Sequence, residues 1–397
     1  MAGPLTGIRV VEFTGLGPGP FCGMMLADNG ADVIRIDRPG ANHDPHDVLA
    51  RSRRSITVDM KTPEGLKIVR ELCASADALI EGYRPGVMER LGLGPDILLA
   101  DNPRLVYGRM TGWGQEGPLA QVAGHDINYI ALSGVLSTMG TAGGKPVQPV
   151  NYLGDFGGGG MLLAFGIVSA ILAARMGAPG QVIDAAMTDG SALLSGMTWQ
   201  LLNGGYWEER LASNWLDGGS HFYNSYGCKD GGFVSLGAIE PQFYAILRDV
   251  LGVSDDPAFD DHMDHDRWPV LKARLTAIFL TKTRDEWCAL MEGTDICFAP
   301  ILSLTEAPTH PHNAQRGTFV PVVDGKWQPA PAPRFSKTPA STPAGAKQPG
   351  SDGASVLKDL GYGPAEIAAL ERKGVVPSPA PLDPQREVRP FGNRPRQ

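Results

Sequence analysis

Short apolar runs alternate with amphipathic stretches over the first half of the chain. Runs rich in β-branched and apolar residues predict strands at 8–13, 32–37, 78–80, 105–107 and 181–184. Helices are predicted at 21–29, which Gly30 would end, and at 63–74, which Thr62 and Pro63 would open as N-cap and first helical residue. Strands that alternate with helices indicate an α/β domain built on a parallel sheet with helices on both faces.

The pattern changes near residue 216. Two alternating runs, 221–226 and 233–236, flank the turn sequence 228–232 and predict a β-hairpin. Helical patterns follow at 242–251, 268–280 and 285–291. These elements predict a second, smaller domain of the α+β class.

These patterns divide the chain. We predict a large α/β domain over 1–200, completed by about 330–375, a small α+β domain over 215–325, and a disordered Pro- and Arg-rich tail over 376–397. The longest apolar run, 161–174, is too short to span a bilayer and predicts a buried core helix, so no membrane insertion is expected.

Composition excludes several classes of protein. The formal net charge is −8, so no global basic field would recruit nucleic acid, and an anionic ligand would need a local cluster of cations. The five cysteines are scattered and form no C-x-x-C pair, which disfavours a disulfide framework or a zinc ribbon. With no signal-peptide pattern at the N-terminus, a cytoplasmic location is expected.

The glycine-rich turn after the first strand does not fit a dinucleotide site. Pro20 stands where the third glycine of G-x-G-x-x-G belongs, and Pro18 lacks a backbone donor. Cations do concentrate nearby, and guanidinium groups suit phosphate oxygens. Phosphate binding and a solvated basic face both remain open for the cluster Arg35, Arg38, Arg51, Arg53, Arg54, Lys61, Arg84 and Arg90.

His125 and Asp155 are the candidate acid and base. Asp155 precedes a glycine run and an apolar helix, and a carboxylate at a helix N-terminus is stabilised as the anion. Histidine can donate or accept a proton near neutral pH, so the pair could perform a two-base proton exchange. A capping aspartate and a structural histidine are equally compatible with the residues alone. The His-containing segments 260–265 and 310–312 predict solvated loops rather than a metal site.

Several separated segments resemble the class III CoA-transferase superfamily from end to end, apart from the tail. They are Leu5–Glu12, Gly30–Asp37, Gly82–Gly92, Gly112–Pro118, Gly154-Asp155, Gly180–Asp184 and Asp230-Gly231. Within that superfamily, Gly124–Tyr129 resembles the α-methylacyl-CoA racemase branch.

The resemblance implies a fold and an activity. It implies a large Rossmann-like domain that binds CoA, a smaller domain, and an interlocked homodimer whose active site lies between the large domain of one chain and the small domain of the other. The implied reaction interconverts (2R)- and (2S)-2-methylacyl-CoA by proton transfer through an enolate. The thioester itself acidifies the α-proton, so no metal or other cofactor is expected.

The resemblance also assigns roles to residues. His125 and Asp155 match the acid/base pair, and Glu240 matches a glutamate that orients His125 from the partner's small domain. The implied CoA contacts are Arg38, Val58, Asp59, Met60, Lys61, Gly82, Tyr83, Arg84, Arg90, Gly124, Asp126, Ile127, Asn128 and Tyr129. Backbone N–H groups near Asp155 and the glycine run are expected to stabilise the enolate oxygen.

Two alternatives stay open. In the transferase branch, the aspartate at the position of Asp155 attacks the thioester and forms a mixed anhydride. A non-catalytic acyl-CoA-binding protein is the other. His125 favours the racemase, because transferases of the superfamily generally lack a histidine there.

Overall fold

The structure, a computed structural model, describes residues 3–41, 43–322 and 325–379. The described residues form two compact units: unit 1 comprises those within 3–133, 150–194 and 317–379, and unit 2 comprises 134–149 and 195–316. Residues 134–149, which the sequence pattern placed in the large domain, are part of unit 2. Residues 380–397 of the predicted tail lie outside the described residues, and Val376 at its start is buried in the core.

Unit 1 is built on a six-stranded parallel sheet. Its strands are β1 (Arg9–Phe13), β2 (Asp32–Asp37), β3 (Arg54–Thr57), β4 (Ala78–Glu81), β5 (Val106–Thr111) and β6 (Gln181–Ala186). The order across the sheet is β3-β2-β1-β4-β5-β6, and every neighbouring pair is parallel. The five predicted strands are confirmed. β3 was not predicted, since it begins at Arg54, the last residue of the arginine-rich segment Arg51–Arg54 (the arginine run).

Helices cover this sheet. They are α1 (Pro18–Asp28), α2 (Pro63–Ala74), α3 (Val87–Arg90), α4 (Pro95–Asp101), α5 (Asp126–Leu132), α6 (Leu162–Arg175) and α7 (Met187–Leu194). The predicted start of α2 is confirmed: Thr62 is its N-cap and its hydroxyl accepts a hydrogen bond from Gly65 N–H at 3.0 Å. The helix predicted at 21–29 begins three residues earlier, with Pro18 in its first turn.

The sheet separates two apolar clusters because side chains alternate along a strand. Val11 belongs to the cluster that contains Leu72 of α2, and Val10 belongs to the cluster that contains Leu26 of α1 and Ile167 of α6. Both valines are fully buried. The near-continuous apolar sequence of these strands follows from burial on both faces.

The apolar helix before β6 is longer than predicted. π-helical turns from Tyr152 to Met161 run directly into α6, which gives a continuous helix of 24 residues. By length and composition it could cross a membrane, yet 44% of its most apolar window is buried. Leu163 and Ile167 are fully buried in the core, so the prediction of a core helix is retained with a corrected start.

Most of the arginine run forms buried ion pairs rather than a phosphate site. Arg51 pairs with Asp28, and Arg53 pairs with Glu12; all four side chains are at most 4% exposed. Likewise Arg35 pairs with Asp37 at 2.9 Å, and Arg54 with Asp32 and Asp359. The interpretation of these four arginines as phosphate ligands is wrong, since each guanidinium group forms an ion pair with a carboxylate of unit 1.

Unit 2 contains a three-stranded antiparallel sheet, β7 (Tyr223–Gly227), β8 (Phe233–Gly237) and β9 (Phe298–Ile301), in the order β7-β8-β9. Its helices are α8 (Gly196–Asn203), α9 (Pro241–Val250), α10 (Trp268–Phe279), α11 (Arg284–Met291) and α12 (Pro311–Arg316). The predicted hairpin and the three predicted helices are confirmed. The helical stretch that follows β6 is divided between α7 and α8, which belong to different units.

Chain segments after unit 2 return to unit 1. They contribute the antiparallel pair β10 (Phe319–Pro321) and β11 (Trp327–Pro329), followed by α13 (Gly353–Asp359) and α14 (Pro364–Arg372). Val356 of α13 and Leu370 of α14 pack in the same cluster as Leu72. The large domain is therefore completed by the C-terminal segment.

One predicted loop is part of the core of unit 2. His262 is only 8% exposed, and its Nε2–H donates to the carbonyl of Ile239 at 2.8 Å. Its ring stacks on Tyr244, whose hydroxyl is 2.8 Å from His221 Nε2. The prediction of a solvated loop is wrong at His262. Among the described residues no group of three or more metal-ligating side chains occurs.

Prediction from the buried pair. Arg53→Met should lower the free energy of unfolding by about 3–5 kcal/mol, because it leaves the Glu12 carboxylate buried without its cation. Burial already raises the pKa of Glu12, and Arg53 opposes that effect. Urea unfolding followed by circular dichroism measures the change.

The matched control is Arg70→Met, which removes the more exposed pair with Asp101 and should cost about 0–1 kcal/mol. The double variant Arg53→Met, Glu12→Leu should recover much of the lost stability. An Arg53→Met variant as stable as the control would contradict the buried-pair interpretation.

Candidate active site

The candidate residues of unit 1 gather at the carboxyl edge of the parallel sheet. Arg38 follows β2, Lys61 follows β3, and Gly82 follows β4. The strand order reverses between β1 and β4, and in open parallel sheets the crevice at such a reversal is where ligands bind. The fold therefore brings together loops that are distant in sequence.

Asp155 lies in the first turn of the π-helical segment and is half-buried. Its Oδ2 accepts a hydrogen bond from Asn151 Nδ2 at 3.0 Å, and its backbone N–H donates to Asp126 Oδ2 at 2.7 Å. A Cβ on Gly17, which has φ +67°, would lie 3.2 Å from Asp155 Oδ2. The glycine turn after β1 thus borders the Asp155 carboxylate.

His125 is the N-cap residue of α5, and its side chain is exposed. Asn128 Oδ1 accepts a hydrogen bond from His125 N–H at 3.0 Å, which fixes the backbone before the helix. The charge of His125 acts on Asp155 and favours its ionised form. Asp126, the residue after His125, accepts the Asp155 N–H at 2.7 Å, so the structure brings together the segments that carry the predicted acid/base pair.

The environment of Asp155 raises its pKa above the usual range. Burial is the largest cause, and the Asp126 carboxylate adds to it, whereas the Asn151 hydrogen bond and His125 act in the opposite direction. A carboxyl group with a raised pKa is a stronger base once ionised and can also hold a proton nearer neutral pH. Proton transfer is the chemistry that this arrangement suits.

The backbone N–H of Asp155 is not free to bind an enolate oxygen, because Asp126 already accepts it. The expected donors were N–H groups near Asp155 and in the glycine run, and of these the N–H of Asp155 itself is excluded. The glycine run is part of the π-helical segment and packs closely against α7 and α1. A Cβ on Gly158 would lie 2.6 Å from Ser191 N, and one on Gly160 would lie 2.5 Å from Pro18 O. The first N–H groups of α5 lack intrahelical acceptors and lie beside His125.

The four cations Arg38, Lys61, Arg84 and Arg90 differ from the arginines described above. All four side chains are exposed, and within the described part of the chain none forms a salt bridge. Arg38 lies close enough to Tyr83 to oppose the rise that burial causes in the pKa of that phenol. This cluster remains available for an anionic ligand.

Several of the other predicted CoA contacts have buried side chains and are less accessible to a ligand. Val58 is 1% exposed and belongs to the core, so only its backbone could reach a ligand. Tyr129 is 6% exposed, its ring fills the space at Gly112 and Gly124, and burial raises its pKa to about 12. The more accessible members are Asp59, Met60, Gly82, Tyr83, Gly124, Ile127 and Asn128, and Asp126 is buried.

Glu240 belongs to unit 2. It is the residue before α9, and the helix begins at Pro241. The N–H groups of Phe243 and Tyr244 donate to the Glu240 carbonyl, each at 3.0 Å, which holds its backbone at the helix start. Its carboxylate lies near Cys297 and contributes to the raised pKa of that thiol.

Asn151 is the site residue that sequence reasoning missed. It precedes Asp155 by four residues, which is the spacing of neighbours on one helix face. The helix was predicted to begin at residue 161, so residues 151 and 155 were both expected to lie outside it and their spacing did not predict a contact. Extending the helix back through the glycine run would have identified the contact.

Comparisons with known proteins identify the family to which this chain is similar. A profile of CoA-transferase family III matches residues 5–353. The α-methylacyl-CoA racemases of Mus musculus and Homo sapiens are 45% and 44% identical over 376 residues, which is 94% of this chain and 98% of each of them. The succinyl-CoA:glutarate CoA-transferase of Mus musculus is 31% identical over 403 residues, covering 94% of this chain and 90% of that protein. The crystal structure of a CaiB/BaiF family protein from Brucella suis has a TM-score of 0.78 and 26% identity, covering 91% of this chain and 100% of that one.

Prediction from the Asp155 contacts. Asn151→Leu should raise the pKa of Asp155 further, because it removes the hydrogen bond that favours the carboxylate. The side-chain carboxyl resonance of Asp155, assigned by comparison with Asp155→Asn, would be followed against pH by NMR. Asn128→Leu is the matched control, since Asn128 contacts the backbone of His125 and not Asp155. An unchanged titration in Asn151→Leu would show that the hydrogen bond does not act on the carboxyl group.

Proposed function

This chain belongs to CoA-transferase family III, and on that premise we infer that it is an acyl-CoA racemase that interconverts (2R)- and (2S)-2-methylacyl-CoA thioesters. The observation that carries this inference is a histidine, His125, directly before the aspartate that accepts the Asp155 N–H at 2.7 Å, so that two groups able to carry a proton lie on adjoining segments of unit 1. A racemase needs two proton carriers. The relatives named as racemases are also more similar to this chain than the mouse transferase.

The reaction proceeds through an enolate. One member of the pair removes the α-proton, and the electron pair of the broken C–H bond delocalises onto the thioester oxygen. The other member then donates a proton to the opposite face of the same carbon, which restores the thioester with inverted configuration. His125 and Asp155 exchange the roles of acid and base with the direction of reaction. The thioester acidifies the α-proton, so the reaction needs no cofactor.

The developing negative charge on the thioester oxygen requires hydrogen-bond donors. Because the Asp155 N–H is already used, the first turn of α5, with the N–H groups of Asp126 and Ile127, is the best-placed source of them. These N–H groups follow His125 directly in the chain. The same segment would therefore contact both the thioester oxygen and the adjacent α-carbon of the substrate.

The phosphates of CoA would be held by the free cations. Arg38, Lys61, Arg84 and Arg90 are exposed and have no acidic partner among the described residues. Arginine and lysine suit phosphate oxygens, and a local cluster is necessary in a chain with net charge −8. The backbone of Val58–Lys61 and the segment Gly82–Arg84 would complete this surface.

The functional assembly would be an interlocked homodimer, in which the partner's Glu240 approaches His125. The exposed face of the long helix supports a dimer. Met161, Phe165, Val168, Leu172 and Met176 follow helical spacing, and Phe165 and Met176 are 70% and 80% exposed. An apolar stripe of this kind marks a surface that another protein covers.

Prediction for the reaction. In deuterium oxide, the protein should exchange the α-proton of (2R)-2-methylacyl-CoA for deuterium and convert the substrate to both epimers. His125→Ala and Asp155→Asn should each reduce the rate by about 100-fold or more, because each removes one proton carrier. NMR follows deuterium incorporation, and chiral chromatography follows the epimers.

The control variant is His310→Ala, which removes a histidine paired with Glu292 in unit 2 and should leave the rate unchanged. Movement of CoA to an added carboxylate without α-exchange would overturn the racemase assignment. It would indicate a CoA-transferase with Asp155 as the covalent nucleophile.

Prediction for the dimer. His125→Ala and Glu240→Gln homodimers should both be nearly inactive, whereas mixed dimers obtained by co-expression with two different tags should recover about half the wild-type activity. In a mixed dimer, one site combines an intact His125 with the partner's intact Glu240. Inactive mixed dimers would indicate that each site takes both residues from one chain, and a chain that sediments as a 42.2 kDa monomer would contradict the dimer itself.

A further inference from the structure

Asp126 is a charged residue that is almost fully buried. It is the first residue of α5, directly after His125, and is 5% exposed. Its Oδ2 accepts the Asp155 N–H at 2.7 Å, whereas its Oδ1 is buried and has no hydrogen-bond partner among the described residues. A buried carboxylate that is only partly hydrogen-bonded is costly, so its presence requires a reason.

The hydrogen bond connects the two elements that carry the acid/base pair. His125 lies at the start of α5, and Asp155 lies in the π-helical segment before α6. Gly154 allows this close approach, because a Cβ there would lie 2.6 Å from Asp126 Oδ2. One side chain thus ties the backbone next to His125 to the backbone of Asp155.

Asp126 also acts on Asp155 through its charge. The Asp126 carboxylate opposes ionisation of Asp155 and adds to the effect of burial on its pKa. The other polar or titratable groups close to Asp155 are His125 and Asn151, which favour its ionised form, and Tyr129, whose own pKa is raised by burial and by both carboxylates. Among these neighbours Asp126 is the group that favours a protonated Asp155.

We propose that Asp126 is a positioning residue whose side chain aligns Asp155 with His125 and places a negative charge beside it, rather than a side-chain contact for CoA. The inference depends on the proposed racemase function for its catalytic meaning. The side chain faces the Asp155 backbone and is closed off from solvent, so a ligand could reach only the backbone of this residue.

Two substitutions separate the effects. Asp126→Asn keeps an oxygen that can accept the Asp155 N–H and removes the charge, whereas Asp126→Ala removes both. In Asp126→Asn, the NMR titration of the Asp155 carboxyl group and the acidic limb of the pH–rate profile should both move to lower pH. In Asp126→Ala, kcat should fall by about 10- to 100-fold with KM nearly unchanged, because the base is misplaced.

The control is Asp96→Asn in the exposed first turn of α4, which should leave the titration and the kinetics unchanged. An Asp155 titration that is the same in wild type and Asp126→Asn would overturn the proposal, whatever the enzyme's activity. A raised KM with unchanged kcat in both Asp126 variants would assign Asp126 to CoA binding instead. A shifted titration in a protein that shows no α-exchange would contradict the racemase function and leave the coupling of the two aspartates intact.

Discussion

The reversal of strand order between β1 and β4 is the constraint on which the site depends. Parallel strands end at one edge, and in open parallel sheets the loops on the two sides of such a reversal diverge and leave room for a ligand. The β1 loop brings Gly17 against Asp155, and the β4 loop carries Tyr83 and Arg84. The same edge would fail as a dinucleotide site, because Pro18 and Pro20 remove N–H donors from the first turn of α1. The glycine turn of this fold therefore borders the Asp155 carboxylate and does not have the N–H donors of a dinucleotide site.

The sequence predicted the elements whose signals are local. Strands buried on both faces gave apolar runs, and Thr62-Pro63 marked the start of α2, because capping depends on neighbouring residues. β3 and the buried arginines were missed for the opposite reason. The partners of Arg53 and Arg51 are Glu12 and Asp28, 41 and 23 positions away, so nothing near the run indicates that its charges are neutralised. A cation cluster in a sequence is a mixture of structural and free groups, and only the fold separates them.

The candidate site shows the same division. His125 and Asp155 were identified from residue type and family resemblance, and the fold joins their segments through the hydrogen bond from the Asp155 N–H to Asp126, the residue after His125. Asn151 and the position of the Asp126 side chain could not be predicted, because the glycine run concealed the beginning of the long helix. Those glycines are required by packing against Pro18 and Ser191 rather than by a turn. His262 was misjudged for a related reason, since polar neighbours in sequence do not reveal that a ring is stacked on Tyr244 in a core.

The two functions weighed for this chain would use Asp155 differently, as a covalent nucleophile in a transferase and as a proton carrier in a racemase. A nucleophile that forms an anhydride needs an ionised oxygen and a path to the thioester carbonyl, and it needs no second proton carrier. A racemase needs two groups able to hold and release a proton near neutral pH. Under the proposed function, Asp155 and His125, at the start of α5, are these two groups, and burial and Asp126 raise the pKa of Asp155, which makes it a stronger base once ionised. A nucleophilic Asp155 would leave His125 without a chemical role, so the histidine is the feature that favours proton exchange.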